Sequence, residues 1–125
     1  MRKLYFILLI LIAGPMFING CDTGGDSVAN STTVPNLIAP LDQDTTVSLT
    51  PSFKWSGSAD KLEIGTSPSF QTIVKSITLQ TTDSIYTLPA SDSLHHGTFY
   101  YWHAGKNSGG TEYWSTNTYT FKTVP

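Results

Sequence analysis

The sequence predicts an all-β domain built as a sandwich of two sheets. Apolar and polar side chains alternate with a period of two along several short segments, which are rich in β-branched and aromatic residues. Pro, Gly, Ser and Asp separate these segments, as is typical of a sandwich with short strands. Beyond the apolar N-terminal stretch, no segment has the period of a helix.

Six segments carry the alternation. In chain order they read PSFKWSG, DKLEIGT, TIVKSITL, SIYTLPA, TFYYWHA and NTYTFKT, and the third is the least regular. The side chains predicted to face the core are Phe53, Trp55, Leu62, Ile64, Tyr86, Leu88, Tyr100, Trp102, Tyr119 and Phe121. The side chains predicted to face outward include Lys61, Glu63, Phe99, Tyr101 and His103.

The N-terminal residues have the layout of a secretory signal peptide. Arg2 and Lys3 precede an almost wholly apolar run over 4–18, which is short for a membrane span. The following INGC resembles a bacterial lipobox, which implies cleavage before Cys21 and attachment of lipid to its side chain. Cys21 is the only cysteine, so no intramolecular disulfide can form.

Three regions follow from this layout. They are a signal peptide over 1–20, a lipidated cysteine with a flexible tether over 21–36, and one domain over 37–125. Loss of 1–20 leaves five lysines against nine acidic residues, a net charge of −4. Because this chain has no basic stripe, we expect no nucleic-acid partner.

Five segments of the predicted domain resemble a fibronectin type III domain. LIAPLDQDTTVSLTPSFKW, KLEIGTSPSF, LHHGTFYYW, NSGGTEYWS and YTFKT occur in the family's order. The resemblance implies a seven-stranded antiparallel immunoglobulin-like sandwich, with Trp55 in the core. It also implies a tyrosine corner formed by Leu94 and Tyr100, whose hydroxyl bonds to backbone just upstream. WHAGKNSGG departs from the family by one residue and predicts a bulge or early strand end near Ala104 to Lys106.

The histidines and acidic residues do not form a recognisable metal site. His95 and His96 are adjacent and point to opposite sides of an extended chain, and His103 lies several residues further on. Asp42 and Asp44 lie in a loop that lacks the glycine and terminal glutamate of an EF-hand. We therefore expect no metal and no cofactor, and we interpret the acidic loop residues as turn formers.

No residue set for catalysis is recognisable either. The chain has no G-x-S-x-G nucleophile elbow, and the SGG at 108–110 lacks the lysine of a phosphate-binding loop. We expect no enzymatic activity and name no catalytic residue.

The outward aromatic residues form the candidate ligand face. Phe99, Tyr101 and His103 share one parity, and Tyr113 and Trp114 lie near the start of the last strand. Such a stripe can bind sugar rings or a protein partner, but cross-strand packing over a sheet face also explains it.

These patterns predict a membrane-anchored, non-catalytic envelope or cell-surface lipoprotein that acts as an interaction or adhesion module or as a spacer. The alternative is a carbohydrate-binding accessory module that uses the aromatic face. The lipid on Cys21 is the expected membrane contact, and the protein or glycan partner is not named by the sequence. We favour the outer membrane or cell surface, while Asp22 resembles an inner-membrane retention signal and leaves the inner membrane open.

Overall fold

A computed structural model describes residues 33–125. Within this range the chain forms nine strands and one 3₁₀ turn. In chain order these are β1 (Asn36–Ala39), β2 (Asp44–Val47), β3 (Ser52–Ser56), β4 (Lys61–Gly65), β5 (Ile73–Thr78), β6 (Ile85–Thr87), the 3₁₀ turn Ala90–Asp92, β7 (Phe99–Ser108), β8 (Thr111–Trp114) and β9 (Tyr119–Thr123). The predicted signal peptide, Cys21 and nearly all of the tether lie outside the described residues.

The strands form two sheets in a sandwich-like arrangement. The smaller sheet has the order β1-β3-β6. The larger has the order β2-β9-β7-β4-β5, with β8 also paired to β7. Described pairs are antiparallel except β2 with β9, which is parallel. The all-β class predicted from the alternation is confirmed.

The described residues form nine strands, two more than the seven predicted, and short breaks separate β1 from β2 and β8 from β9. Between β1 and β2 the chain passes from the smaller sheet to the larger at Pro40, which has no N–H for a ladder. Between β8 and β9 the Ser115 hydroxyl accepts from the Ala104 N–H (3.4 Å) and donates to the Asn117 carbonyl (2.8 Å). The Ser115 N–H also donates to the Ala104 carbonyl at 2.8 Å, so the hydroxyl adds to a backbone hydrogen bond where the last strand breaks.

The core lies between the sheets and is rich in aromatic rings. Phe53 meets Trp102 and Phe121 edge-on, with ring centroids 5.0 and 6.0 Å apart. Nearly all of the residues predicted to face inward are buried, and Tyr86 and Tyr119 are partly buried against the same cluster. The indole N–H of Trp102 donates to the Pro40 carbonyl at 3.4 Å, which ties the chain crossing to the core.

The segment before β7 is fastened by one tyrosine. The buried Tyr100 hydroxyl accepts a hydrogen bond from the His95 N–H at 3.0 Å, and Leu94 is buried beside it in the core cluster. The Thr123 hydroxyl donates to the His95 carbonyl at 2.6 Å. The sequence resemblance implied a bond from the Tyr100 hydroxyl to backbone just upstream, and the bond to the His95 N–H has this form. Together, the Tyr100 and Thr123 bonds hold the segment before β7 against the end of β9.

The bulge or early strand end predicted near Ala104 to Lys106 is wrong. β7 continues to Ser108, and Gly105 pairs in regular register with Lys61 and Trp114. A Cβ at Gly105 would lie 2.7 Å from the Trp114 indole. The glycine therefore marks a close approach of an aromatic ring to the sheet, which is the other common reason for a glycine inside a strand.

Candidate interaction face of the larger sheet

The candidate site is the outer face of the larger sheet, the surface formed by the side chains of β4, β7, β8 and β9 that point away from the core. On β7 these belong to alternate residues from Phe99 to Gly105. The strand register places Glu63 beside His103, Gly65 beside Tyr101, and Lys122 beside Phe99.

His103 lies on the outer face but is not exposed, which corrects its predicted place in an exposed stripe. Its imidazole lies between two parallel rings, Phe70 at 3.6 Å and Trp114 at 3.8 Å between centroids, with interplanar angles of 8° and 9°. Only 8% of the residue remains accessible. We call Phe70, His103 and Trp114 the ring stack.

Two glycines give the outer rings of the stack room to approach the sheet. The Cβ position of Gly105 is occupied by Trp114, and that of Gly65 lies 3.2 Å from a ring carbon of Phe70 and 2.6 Å from the Thr72 carbonyl. A side chain at either position would push these groups away from the sheet. The ring stack therefore depends on both glycines.

Glu63 is the polar partner of His103. Its Oε2 lies 3.0 Å from Nε2 of His103, and each side chain is about 10% accessible. Lys61 Nζ lies 3.7 Å from the other carboxylate oxygen and 5.9 Å from the centre of the Trp114 ring. Lys61 and Glu63 point outward as predicted, but Glu63 is buried beside His103.

Burial is the largest influence on the pKa of His103. It lowers the pKa of the imidazole because the charged form would lose hydration, and Glu63 opposes this shift only in part. At neutral pH the ring is therefore uncharged, and its Nε2–H donates to the Glu63 carboxylate. This arrangement holds the imidazole in one orientation between the two aromatic rings.

A pair of carboxyl groups, Glu112 and Asp60, lies next to the stack. Glu112 Oε1 is buried and lies 2.7 Å from the Cβ position of Gly105. Burial raises the pKa of Glu112, and the nearby Asp60 carboxylate raises it further. Asp60 itself accepts from the Asn107 N–H at 2.7 Å, which holds it beside the β7–β8 hairpin.

Three large side chains on the outer face remain at least partly accessible. Phe99 is 53% accessible, with Lys122 Nζ 5.2 Å from its ring centre, and Tyr101 is half-buried two residues along β7. Ile73, 45% accessible, pairs with Gly65, which pairs in turn with Tyr101. We call Phe99, Tyr101 and Ile73 the exposed row.

Tyr113 does not belong to this face. It pairs with Lys106, and Lys106 has the parity of Trp102 and Ala104, opposite to that of His103. The aromatic residue that β8 contributes to the outer face is Trp114. The predicted face of Phe99, Tyr101, His103 and Tyr113 is therefore divided: two members are accessible there, one is covered, and one lies on the other side.

Phe70 and Ile73 are the members that sequence reasoning missed. Phe70 lies in the loop between β4 and β5, where no periodic pattern indicates a direction. Ile73 follows an irregularity in the β4–β5 register, which changes its parity relative to the rest of β5. The glycines at 65 and 105, both inside strands, were the available signal that something approaches the sheet closely.

The residues considered for metal binding lie apart. His95 and His96 are exposed in the segment before β7, far from the ring stack. Asp42 accepts from the Thr120 N–H, and Asp44 accepts from both the N–H and the hydroxyl of Thr46, which lowers the pKa of Asp44. Within residues 33–125 no three His, Cys, Asp or Glu side chains come together to hold a metal ion.

No helix in the described part of the chain is long and apolar enough to cross a membrane. Comparisons with protein-family models, with curated proteins and with solved structures gave no match.

Proposed function

We propose that the chain is a bacterial lipoprotein that binds a protein partner through the outer face of a fibronectin type III-like domain. The exposed row is the observation that carries this proposal. Phe99 and Tyr101 lie two residues apart on the outer side of β7, and Ile73 lies on the other side of Gly65 from Tyr101. Large accessible side chains on one sheet face are typical of interaction surfaces.

The sheet orders and the Tyr100 contact support the family assignment. Three strands face a larger sheet, and the interrupted first and last strands reduce the nine described strands to seven strand positions. The hydroxyl of Tyr100 bonds backbone five residues upstream, as the tyrosine corner of this family requires. These features are also compatible with a spacer, for which the exposed row would have no partner.

The anchor part of the proposal depends on the sequence of residues 1–21. A basic start and an apolar run precede INGC, which ends in the only cysteine of the chain, so lipid on Cys21 would hold the domain at a bacterial membrane. Metabolic labelling with an alkyne analogue of palmitate tests this. The wild-type chain should incorporate the label and Cys21→Ser should not, and labelling that persists in the variant would overturn the anchor.

Site-directed photo-crosslinking in the producing cells tests the interaction face. A photoreactive phenylalanine at Tyr101 should give a discrete crosslinked protein, and Phe99→Ser should weaken that crosslink. The control is the same probe at Ile38 on the smaller sheet, which is 46% exposed and thus more accessible than the half-buried Tyr101. Crosslinks of equal yield from both positions, or a yield at Tyr101 unaffected by Phe99→Ser, would contradict the proposal.

Carbohydrate binding is the second candidate, because Phe99 and Tyr101 present two aromatic rings on one face. His103 occupies one face of the Phe70 ring and one face of the Trp114 ring, so those two faces are closed to a sugar. A glycan array decides: binding that is lost in Tyr101→Ala would favour this function. The absence of any glycan signal, or a signal unchanged in that variant, would exclude it.

A further inference from the structure

The loop of residues 66–72 is held against the outer face in a strained conformation. Phe70 has a φ of +55°, a left-handed value that is unfavourable for a residue with a large side chain. Hydrogen bonds from the Thr66 N–H to the Thr72 carbonyl and from the Phe70 N–H to the Ser67 carbonyl, both 3.1 Å, close the loop. Stacking of the Phe70 ring on His103 opposes the strain.

The contact that holds this loop contains a titratable ring. Both faces of the His103 imidazole are covered, by Phe70 from the loop and by Trp114 from β8. Opening of the loop would hydrate one of these faces. A proton on His103 would therefore be better hydrated in the open arrangement than in the closed one.

The other charged groups near His103 do not remove this preference. The loop has no titratable side chain, and β5 places Ser76 beside Glu63. The titratable groups that face His103 are Lys61 and Glu63 from β4 and Glu112 from β8, with Asp60 beyond it. Glu63 favours the imidazolium and Lys61 disfavours it, and the burial effect exceeds the attraction to Glu63.

We infer that protonation of His103 releases the 66–72 loop from the outer face, so that the loop is closed near neutral pH and opens in acid. A ligand that binds one of two conformations more tightly shifts the population towards it, and here the ligand is the proton. Release relaxes Phe70 and uncovers rings of the stack beside the exposed row. The outer face thus gains apolar surface in acid, whatever its partner is.

The direction of the pH effect follows from linkage. The closed form binds the proton more weakly than the open form, in which one face of the His103 imidazole is hydrated and its pKa is less strongly lowered. Opening therefore becomes easier as the pH falls through the pKa of His103 in the open form towards its lower pKa in the closed form. Within this window the opening constant rises by up to about tenfold per pH unit.

Amide hydrogen exchange measured by NMR tests the inference on the whole domain. Protection factors of the Thr66 and Phe70 amides, corrected for intrinsic rates, are compared at pH 7.5 and 5.0 with that of Trp102 in β7. The loop amides should lose at least fivefold in protection in acid while Trp102 keeps its value. In His103→Phe, which retains an aromatic ring but cannot titrate, the loop amides should change less than twofold.

Phe70→Ala tests the same inference if His103→Phe does not fold. Phe70→Ala removes one cover from the imidazole, so the pKa of His103, followed through its ring carbon signals, should rise towards 6.5. An unchanged titration of His103 in Phe70→Ala would overturn the inference. Three exchange results would also overturn it: protection that increases in acid, a loss shared by Trp102, or an equal loss in His103→Phe.

Discussion

Tyr100→Phe isolates the energetic contribution of one hydroxyl. The substitution leaves the aromatic ring in the core, where it is 1% accessible and lies 5.8 Å from the Phe121 ring. It removes the acceptor of the His95 N–H, a 3.0 Å hydrogen bond between side chain and backbone. Such a bond contributes about 1 kcal/mol, and an N–H left without a partner raises the loss to about 2 kcal/mol.

A loss of about 1–2 kcal/mol corresponds to a fall in Tm of roughly 4–15 °C for a domain of this size. Circular dichroism during heating measures the Tm, and urea unfolding should give a lower midpoint with an unchanged m value. Tyr101→Phe is the matched control, since its ring lies on the outer side of the same strand and its loss should stay below about 0.5 kcal/mol. Equal Tm values for Tyr100→Phe and the wild type would refute the assigned role of the corner.

Three further predictions concern the outer face and the edge of the sandwich. Gly105→Ala should destabilise the domain by about 1–3 kcal/mol, because the added methyl group meets the Trp114 ring at 2.7 Å, whereas Ser108→Ala at the exposed end of β7 should be nearly neutral in urea unfolding. Glu112→Gln should stabilise the domain at pH 7. The raised pKa of Glu112 means that the fold disfavours the charged carboxylate, so the wild type loses stability as the pH rises above about 4.5. At pH 4 the carboxyl group is mostly uncharged in both states, and the advantage of the variant should disappear. Lys75→Met removes the 2.7 Å ion pair with Asp92 and should cost at most about 1 kcal/mol, less at high salt, since both side chains are partly exposed.

The strands and the core were predictable because one physical rule governs both. A strand with one buried face must alternate, so parity alone placed Trp55, Trp102 and Phe121 in the core, where each is at most 1% accessible. The same rule needs no knowledge of which strands pair. It therefore succeeds before the topology is known.

Pairing and strand interruption were not predictable from parity. The break at Ser115 depends on one hydroxyl that bonds across to Ala104, and nothing in the local pattern TEYWSTNTYTF identifies it. The register of β8 depends on the two-residue turn at Gly109 and Gly110, and a shift of one residue exchanges Tyr113 with Trp114 between the two faces. Because the sequence pattern does not give this register, it predicted Tyr113 on the outer face.

His103 shows that parity determines the direction of a side chain but not its exposure. Its outward direction was predicted correctly, and its burial comes from Phe70, a loop residue whose position no periodic pattern records. The burial of His103 under Phe70 also limits which side chains of the outer face a partner can contact. His103 is covered while the loop is closed, whereas the exposed row stays accessible, and Ile73, a member of that row, directly follows the 66–72 loop in the chain. A partner that binds the exposed row would therefore contact the border of a movable loop, and its affinity would depend on whether the ring stack is closed.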